Sequence, residues 1–260
     1  MVLLCHLFLG CKDDTYEVDK ENNIPIGIVG EVSNKEIRIG VYHAGNLTIG
    51  GSYQFINDAI LRIEKDNKMQ TDLQQVDNRY YTSLKPLLLE QNAEYRLSCK
   101  IGNDLFVSSI QLPESFSLNY KYAFPVVSID LSPLSKVSHN YVIELFKFKY
   151  PDQLIPVYFY SENVESDNFI YNEINQPYSK LFFYDQSGKK QIDMKISNEE
   201  LGDQTYFLVV RSVPKLYYRF LYESEIQKGT KGMLIELPSN IKGGAIGFVG
   251  SAFYQKVELK

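Results

Sequence analysis

Apolar and polar residues alternate along much of the chain, which is the pattern of β-strands with one buried face. Between Glu94 and Ile101, the side chains of Tyr95, Leu97 and Cys99 alternate with polar or charged neighbours. Cys99 is therefore predicted to lie on the inner face of a strand, where its thiol behaves as a small buried hydrophobe.

Similar short segments recur through the first part of the chain and predict a β-sandwich there. Turn-forming residues separate them, and the series ends at Pro113. The segment 59–64 fits either a turn of helix or a strand, because periodicity does not separate the two over so short a run. The first domain is therefore predicted to span residues 24–113.

A second set of β-like segments predicts a β-rich domain over residues 114–260. Strands are predicted at 126–131, 141–150 and 205–213, the last rich in β-branched and aromatic residues. Residues 181–196 predict a hairpin that turns at Ser187-Gly188. Residues 113–125 are interpreted as a linker that leads into the first of these strands.

One helix is predicted, near residues 214–227. Pro214 suits the first turn of a helix, Gly229 suits its end, and Ser212 can cap its start. Apolar side chains between them fall on one face at helical spacing. The predicted fold class is thus all-β, with two β-sandwich-like domains, the N-terminal one immunoglobulin- or transthyretin-like, and one short helix.

The first eleven residues form an apolar run that ends at Gly10-Cys11. We interpret residues 1–10 as the remnant of a lipoprotein signal peptide, cleaved so that Cys11 becomes lipidated. A transmembrane helix needs about 20 apolar residues, whereas two lipid chains suffice for a stable anchor. An N-terminal β-strand or an unordered apolar tail is the alternative. Residues 11–23 are rich in charge and are predicted to form a flexible linker.

Three charged residues, Lys12, Asp13 and Asp14, follow the predicted lipidation site directly. A lysine followed by two acids at this position resembles the export signal of some Bacteroidota lipoproteins, which goes with display on the outer face of the outer membrane. The alternative is that these residues only keep the linker solvated. The predicted location is the outer membrane, lipid-anchored, at the cell surface or on the periplasmic face.

The composition argues against some classes of partner. The formal net charge is −5 and no dense cluster of Lys or Arg occurs, whereas nucleic-acid binding needs a basic face. If Cys5 leaves with the leader and Cys11 is acylated, Cys99 remains alone and no internal disulfide can form. The chain has 20 Tyr and 15 Phe but no Trp, which makes a sugar-stacking surface less favoured.

Candidate metal ligands are sparse. His43 and His139 lie in different predicted domains without a cysteine or histidine partner at ligand spacing, so ordinary histidines are favoured over a zinc site. Glu162, Glu165 and Asp167 lack the spacing of a calcium-binding EF-hand, and a solvated acidic loop is the better interpretation. No metal and no cofactor is predicted.

Motifs of catalysis are equally weak. Ser239 does not stand in a Gly-x-Ser-x-Gly context, so it is not predicted to be a nucleophile. The glycine-rich segment 243–250 lacks the Gly-Lys-Ser/Thr ending of a phosphate-binding loop, and close packing of strands or a bulge explains it better. No catalytic residue is predicted, and the protein is not expected to be an enzyme.

The order of several short segments resembles a Bacteroidota family of outer-membrane lipoproteins that is defined only as a domain of unknown function. The segments are the Cys-Lys-Asp junction at Cys11, Ile28–Val32, Ile37–Val41, Ile56–Ile63, Tyr80-Tyr81, Glu94–Leu97, Ser108–Pro113, Leu216–Leu221 and Ser239–Gly250. The resemblance implies a two-part, all-β protein of the outer membrane, often encoded beside TonB-dependent transporters, with no assigned reaction. It also favours strand over helix at residues 59–64.

Together these inferences predict a surface-exposed outer-membrane lipoprotein that acts as a non-catalytic binding or accessory subunit. Its predicted partners are the outer membrane, through the lipid anchor, and a TonB-dependent receptor or the cargo of that receptor. A structural or adhesive cell-envelope lipoprotein is the alternative. A hydrolytic enzyme is the least favoured interpretation.

Overall fold

The fold is known from a computed structural model. It describes residues 25–43, 54–66, 68–76, 79–84, 89–133, 140–149, 153–161, 181–185, 191–197, 205–229 and 237–260. Within these ranges the protein is mostly β, with two sheets and one helix. The predicted all-β, sandwich-like class with one short helix is confirmed.

The strands of the first part are β1 (Ile26–Ser33), β2 (Ile37–His43), β3 (Gln54–Phe55), β4 (Ile60–Lys65), β5 (Lys68–Val76), β6 (Tyr80–Thr82), β7 (Glu94–Ile101) and β8 (Asp104–Gln111). The second part contributes β9 (Phe116–Ala123), β10 (Val126–Pro133), β11 (Asn140–Lys149), β12 (Gln153–Pro156), β13 (Phe159–Ser161), β14 (Phe182–Asp185), β15 (Gln191–Ile196), β16 (Tyr206–Val213), α1 (Lys215–Gly229), β17 (Ile241–Lys242) and β18 (Val249–Leu259). Residues 60–64 of the ambiguous segment 59–64 thus lie in strand β4, as the family resemblance implied.

The first hydrophobic core lies between two groups of strands that β5 connects. β5 pairs with β4 near its start and with β6 near its end, so the sheet continues from β1 and β2 to β4, β7 and β8. Fully buried side chains from both groups, such as Ile39, Leu61 and Ile63, meet in one cluster. Each such aliphatic side chain contributes about 1.5–3 kcal/mol to folding through its burial.

The second core lies between the long sheet and a separate sheet of four strands. The four-stranded sheet has the order β13-β15-β10-β9, and its apolar face packs on β11, β16 and β18. Tyr141, Phe159 and Phe182 are fully buried in this cluster. β16 is buried along almost its entire length, because the four-stranded sheet covers one face and a smaller cluster covers the other.

The helix α1 packs on the second face of β11 and β18, opposite the four-stranded sheet. The amide of Tyr218 donates to the carbonyl of Pro214 at 2.9 Å, so the helix begins directly after that proline. The predicted cap at Ser212 is wrong, because this residue lies in β16 and pairs with Tyr141 and Phe253. Helical spacing placed the helix correctly, and the strand predicted before it over residues 205–213 ends at Val213, so it contains Ser212.

Strands from the end of the described chain complete the first sandwich. β18 runs parallel to β1 and antiparallel to β16, and β17 pairs with β8. Ala245 and Val249 contribute to the first core. Strands from both sides of residue 113 therefore share the 14-stranded sheet. The domain bounds of 24–113 and 114–260 stay a prediction.

Two predicted connections differ from the observed ones. The hairpin predicted over residues 181–196 is wrong, because β14 pairs with β11 whereas β15 pairs with β10 and β13 in the other sheet. Most of the predicted linker at 113–125 is strand β9, which forms a hairpin with β10. Alternating patterns identify a strand in each case, but they do not identify the partner of that strand.

Several predictions fall outside the described residues. These concern the signal peptide 1–10, the linker 11–23, the acidic loop with Glu162, Glu165 and Asp167, and His139. The described part of the chain contains no helix with the length and apolar character of a membrane-spanning segment.

Candidate functional site

The predicted lipidation site Cys11 and the predicted export signal Lys12, Asp13 and Asp14 lie outside the described residues. The structure therefore leaves both as predictions.

Cys99 lies on the inner face of β7, as its alternating neighbours predicted. Its side chain is 1% exposed and belongs to the first core. Burial raises the pKa of the Cys99 thiol to about 12. A thiol with this pKa is almost fully protonated at neutral pH and is a poor nucleophile. The interpretation of Cys99 as a small core hydrophobe is confirmed.

The glycine-rich segment packs closely against β1. The amide of Ile28 donates to the carbonyl of Ile246, and the amide of Ile246 donates to the carbonyl of Ile26, both at 2.9 Å. A Cβ atom on Gly247 would lie 2.2 Å from the carbonyl oxygen of Ile28. Close packing of backbone is thus the role of this segment, as its sequence predicted. In the part of the chain that the structure describes, no three potential metal ligands come together.

The candidate site is an open depression on the outer face of the first sandwich, which we call the Ser98 groove. It is lined by Ile60, Arg62 and Glu64 of β4, by Arg96, Ser98 and Lys100 of β7, and by Leu105 of β8. Its volume is about 300 Å³, which is at the lower limit of the range for small-molecule sites.

Strand register arranges these side chains in rows across the sheet. Lys100 stands opposite Ile60 of β4 on one side and opposite Leu105 of β8 on the other. In the next row on this face, Ser98 stands opposite Arg62. Side chains two residues apart on a strand share a face, so both rows point outward. Ser98 has the shortest side chain of the lining and forms the floor of the groove.

The charges of the groove are unevenly paired. Arg62 Nε donates to Asp72 Oδ1 at 2.8 Å, and Arg96 Nε lies 3.9 Å from Glu64 Oε2. Exposed pairs of this kind contribute only about 0.2–1 kcal/mol each, so a bound anion can compete for these guanidinium groups. Within the described ranges, the Lys100 ammonium makes no ion pair and no hydrogen bond, and it is the cation most open to a ligand.

Apolar surface lies beside this cation. Ile60 is 51% exposed and Leu105 is 50% exposed. Two large aliphatic side chains exposed to this extent on either side of one lysine form an apolar row with a positive charge in its middle. The groove therefore offers both apolar and cationic contacts, and it contains no aromatic ring among its lining residues.

The sequence predicts one side of this groove, the outer face of β7, but not the strands beside it. The alternation in residues 94–101 places Arg96, Ser98 and Lys100 on the outer face of one strand. It does not show that β4 lies beside β7, because the intervening β5 sits on the other side of β4. Neither Ile60 nor Leu105 was identified from the sequence as a site residue.

A second polar cluster lies beneath α1 and joins β1, β11 and β16. Arg211 Nη2 lies 3.0 Å from Glu144 Oε2, and Arg211 Nη1 lies 3.4 Å from Glu31 Oε2. The hydroxyl of Tyr217 on α1 donates to Glu31 Oε2 at 2.8 Å. The side chains of Arg211 and Glu144 are only 12% and 19% exposed. Because the helix covers this cluster, we assign it to holding α1 on the sheet and not to binding a ligand.

The same cluster shifts the protonation of its members. Burial raises the pKa of Glu144 above its ordinary value of 4.5, although the neighbouring Arg211 lowers it. Burial lowers the pKa of Arg211, but the charge of Glu144 and the other groups around it raise it overall. Burial also raises the pKa of Tyr217, and the carboxylate of Glu31 adds to this rise. At neutral pH, Arg211 is thus charged and Tyr217 carries its proton.

Comparison with known proteins identifies no family for this chain. No family model matches it, and no curated protein sequence matches it. One solved structure with similarity is a candidate carbohydrate-binding protein from Bacteroides uniformis, with 11% sequence identity and a TM-score of 0.28 over 91% of this chain and 99% of that one. A similarity this low assigns neither a function nor a topology to this chain. The resemblance to a lipoprotein family stays a prediction.

Proposed function

We propose that this chain is a non-catalytic binding protein whose ligand occupies the Ser98 groove. The observation that carries the proposal is the groove itself, where apolar and cationic side chains surround a short serine on an outward sheet face. Concave sites that combine apolar surface with a few polar groups are the usual form of small-molecule sites. Strands provide a rigid support for such side chains, so the groove exists before a ligand arrives.

The proposal includes attachment to the outer membrane through a lipid on Cys11, at the cell surface. The apolar run before Cys11 and the charged triplet after it support this part. We also propose that the protein acts beside a TonB-dependent transporter. This part is supported by the order of segments that resembles the lipoprotein family.

The binding role is tested by filling the groove. Purified protein is screened against peptide, glycan and small-molecule libraries, and every saturable ligand is titrated again with Ser98→Phe. We expect the phenyl ring to occupy the floor and to abolish binding. Ser117→Phe is the matched control, because Ser117 is an exposed serine on β9 in the other sheet. Ligands that bind wild type and both variants equally would show that the groove is not the binding site.

The anchor is tested separately by mass spectrometry of the protein extracted from its native membrane. We expect a protein that begins at Cys11 and carries acyl chains, and we expect Cys11→Ser to remain unacylated. Cys5→Ser is the matched control and keeps the lipid. An unacylated wild-type chain that begins at Met1 would overturn the anchor while leaving the binding role intact.

A further inference from the structure

The row formed by Ile60, Lys100 and Leu105 has a chemical pattern that selects among ligands. Lys100 lies between two aliphatic side chains that are each about half exposed. Neighbouring strands are about 4.8 Å apart, so the two aliphatic positions are separated by roughly 10 Å across β7. The methylene stem of Lys100 lies between them and adds to the apolar surface.

A concentration of positive charge lies on the next rows of the same face. Arg62 stands opposite Ser98 on β4, and Arg96 lies two residues before Ser98 on β7, so the two arginines flank the floor. Lys242 adds a further cation two strands away, since it pairs with Val107, which in turn pairs with Ser98. Glu64, Asp72 and Glu94 offset part of this charge, and four cations against three carboxylates leave the face net positive.

The polar groups on the floor are open to a ligand. Among the residues that the structure describes, neither the hydroxyl of Ser98 nor the ammonium of Lys100 has a hydrogen-bond partner. Each can donate to an oxygen placed over the floor. A carboxylate there would accept from Ser98 and Lys100 and would lie next to the guanidinium group of Arg62.

We infer that the Ser98 groove binds a small amphipathic carboxylate, such as a medium-chain fatty acid. The carboxylate lies over Ser98 between Lys100 and Arg62, and the apolar body lies along the row of Ile60 and Leu105. This inference rests on the proposed binding role of the groove and adds the class of ligand. The lining contains no aromatic ring on which a sugar would stack, so an aliphatic body fits it better.

The test uses three probes that separate charge from apolar contact. Octanoate has both features, octan-1-ol has the apolar chain without the charge, and acetate has the charge without the chain. Binding is followed by calorimetry and by NMR shifts of backbone amides in β4, β7 and β8. We expect saturable binding of octanoate that weakens as salt is added, weaker binding of octan-1-ol without salt dependence, and no binding of acetate.

Variants then assign the charge contact to one residue. Lys100→Met keeps the length of the side chain and removes the charge, and it is expected to weaken octanoate binding about two- to fivefold, the range for one exposed ion pair. It leaves octan-1-ol unchanged. Lys121→Met is the matched control, because Lys121 is an exposed lysine on β9 in the other sheet, and it has no effect.

Two outcomes would overturn the inference. Equal binding of octanoate and octan-1-ol, with no effect of Lys100→Met, would mean that the groove is not selective for a carboxylate. Absence of octanoate binding would also reject this ligand class. Neither outcome decides the proposed binding role of the groove, which is tested separately by Ser98→Phe with ligands from the library screen. Failure of the carboxylate inference is therefore distinguishable from failure of the proposed function.

Discussion

Gly247 lies where the glycine-rich segment packs closely against the backbone of β1. It has a φ of +121°, a region that residues with a side chain rarely adopt. The segment around it runs along β1, and the amide of Gly30 donates to the carbonyl of Phe248 at 3.1 Å. Both the conformation and the contact with Ile28 therefore require a residue without a Cβ atom.

We expect Gly247→Ala to destabilise the protein more than Gly244→Ala. Gly244 also has a positive φ, of +92°, but a Cβ atom there would meet nothing within 4 Å. Gly244→Ala therefore costs only backbone strain of about 1–3 kcal/mol, whereas Gly247→Ala must also displace β1. Equilibrium unfolding in urea measures both free energies. Equal losses would show that the close contact with β1 does not constrain the fold.

Cys99 gives a second prediction at the level of a single residue. With Cys5 and Cys11 both replaced by Ser, we expect the native protein to show no reaction with a thiol reagent, because Cys99 is buried and its pKa is raised to about 12. One thiol reacts after unfolding in urea. Rapid reaction in the native state would contradict the burial of Cys99. Leu105→Cys, at a half-exposed position of the next strand, is the reactive control.

At the scale of elements, the cluster of Glu31, Glu144 and Arg211 fixes the helix on the sheet. A buried guanidinium group needs both carboxylates, because removing one partner of a buried pair leaves an uncompensated charge that costs about 3–5 kcal/mol. The raised pKa of Glu144 shows that its burial outweighs the attraction of Arg211. Ionised Glu144 is therefore a less favourable member of the cluster than its close contact suggests.

The raised pKa of Glu144 predicts how the stability of the protein depends on pH. Because the folded state raises the pKa of Glu144 above 4.5, its favourable contribution is complete below that value and is lost as the pH rises through the raised pKa. Glu144→Gln stays neutral, so its free energy of unfolding relative to wild type should increase from about pH 4 to about pH 8. Urea unfolding at several pH values measures this difference.

Glu258→Gln is the control for the change of net charge, because Glu258 is exposed on β18. It should show no comparable trend with pH. A free energy of unfolding of Glu144→Gln that falls relative to wild type as the pH rises would contradict the direction of the pKa shift.

Most of the elements could be predicted from the sequence, but their partners could not. The alternation around Cys99 determines which side chains of β7 point inward, and it is a local property of the chain. The prediction of a hairpin over residues 181–196 was wrong because the pairing of its strands is not a local property. The residues of a turn carry no information about which sheet each flanking strand joins. The Ser98 groove was missed in the same way, because it depends on the neighbour of β7.

At the scale of the whole molecule, the two cores are joined through one long sheet. β1 receives hydrogen bonds from β2 on one side and lies parallel to β18 on the other. Asn34 strengthens this junction, because its side-chain amide donates to the carbonyl of Tyr254 at 3.2 Å and its side-chain oxygen accepts from the amide of Tyr254 at 2.7 Å. The first sandwich therefore depends on residues far along the chain.

We expect a fragment of residues 24–113 alone not to fold cooperatively. It would lack β17 and β18, and its core would lack Ala245 and Val249. Dispersion of amide signals in an NMR spectrum measures the outcome. The matched control is the same fragment joined through a flexible linker to residues 237–260, which should recover dispersed signals. Cooperative unfolding of the isolated fragment would show that 24–113 is an independent domain.

The parallel pairing of β1 with β18 also has a consequence for biosynthesis. Contacts such as that between Asn34 and Tyr254 span 220 residues, so one edge of β1 stays without its partner until β18 has been made. Contacts this distant slow folding, and an unpaired edge invites aggregation in the meantime.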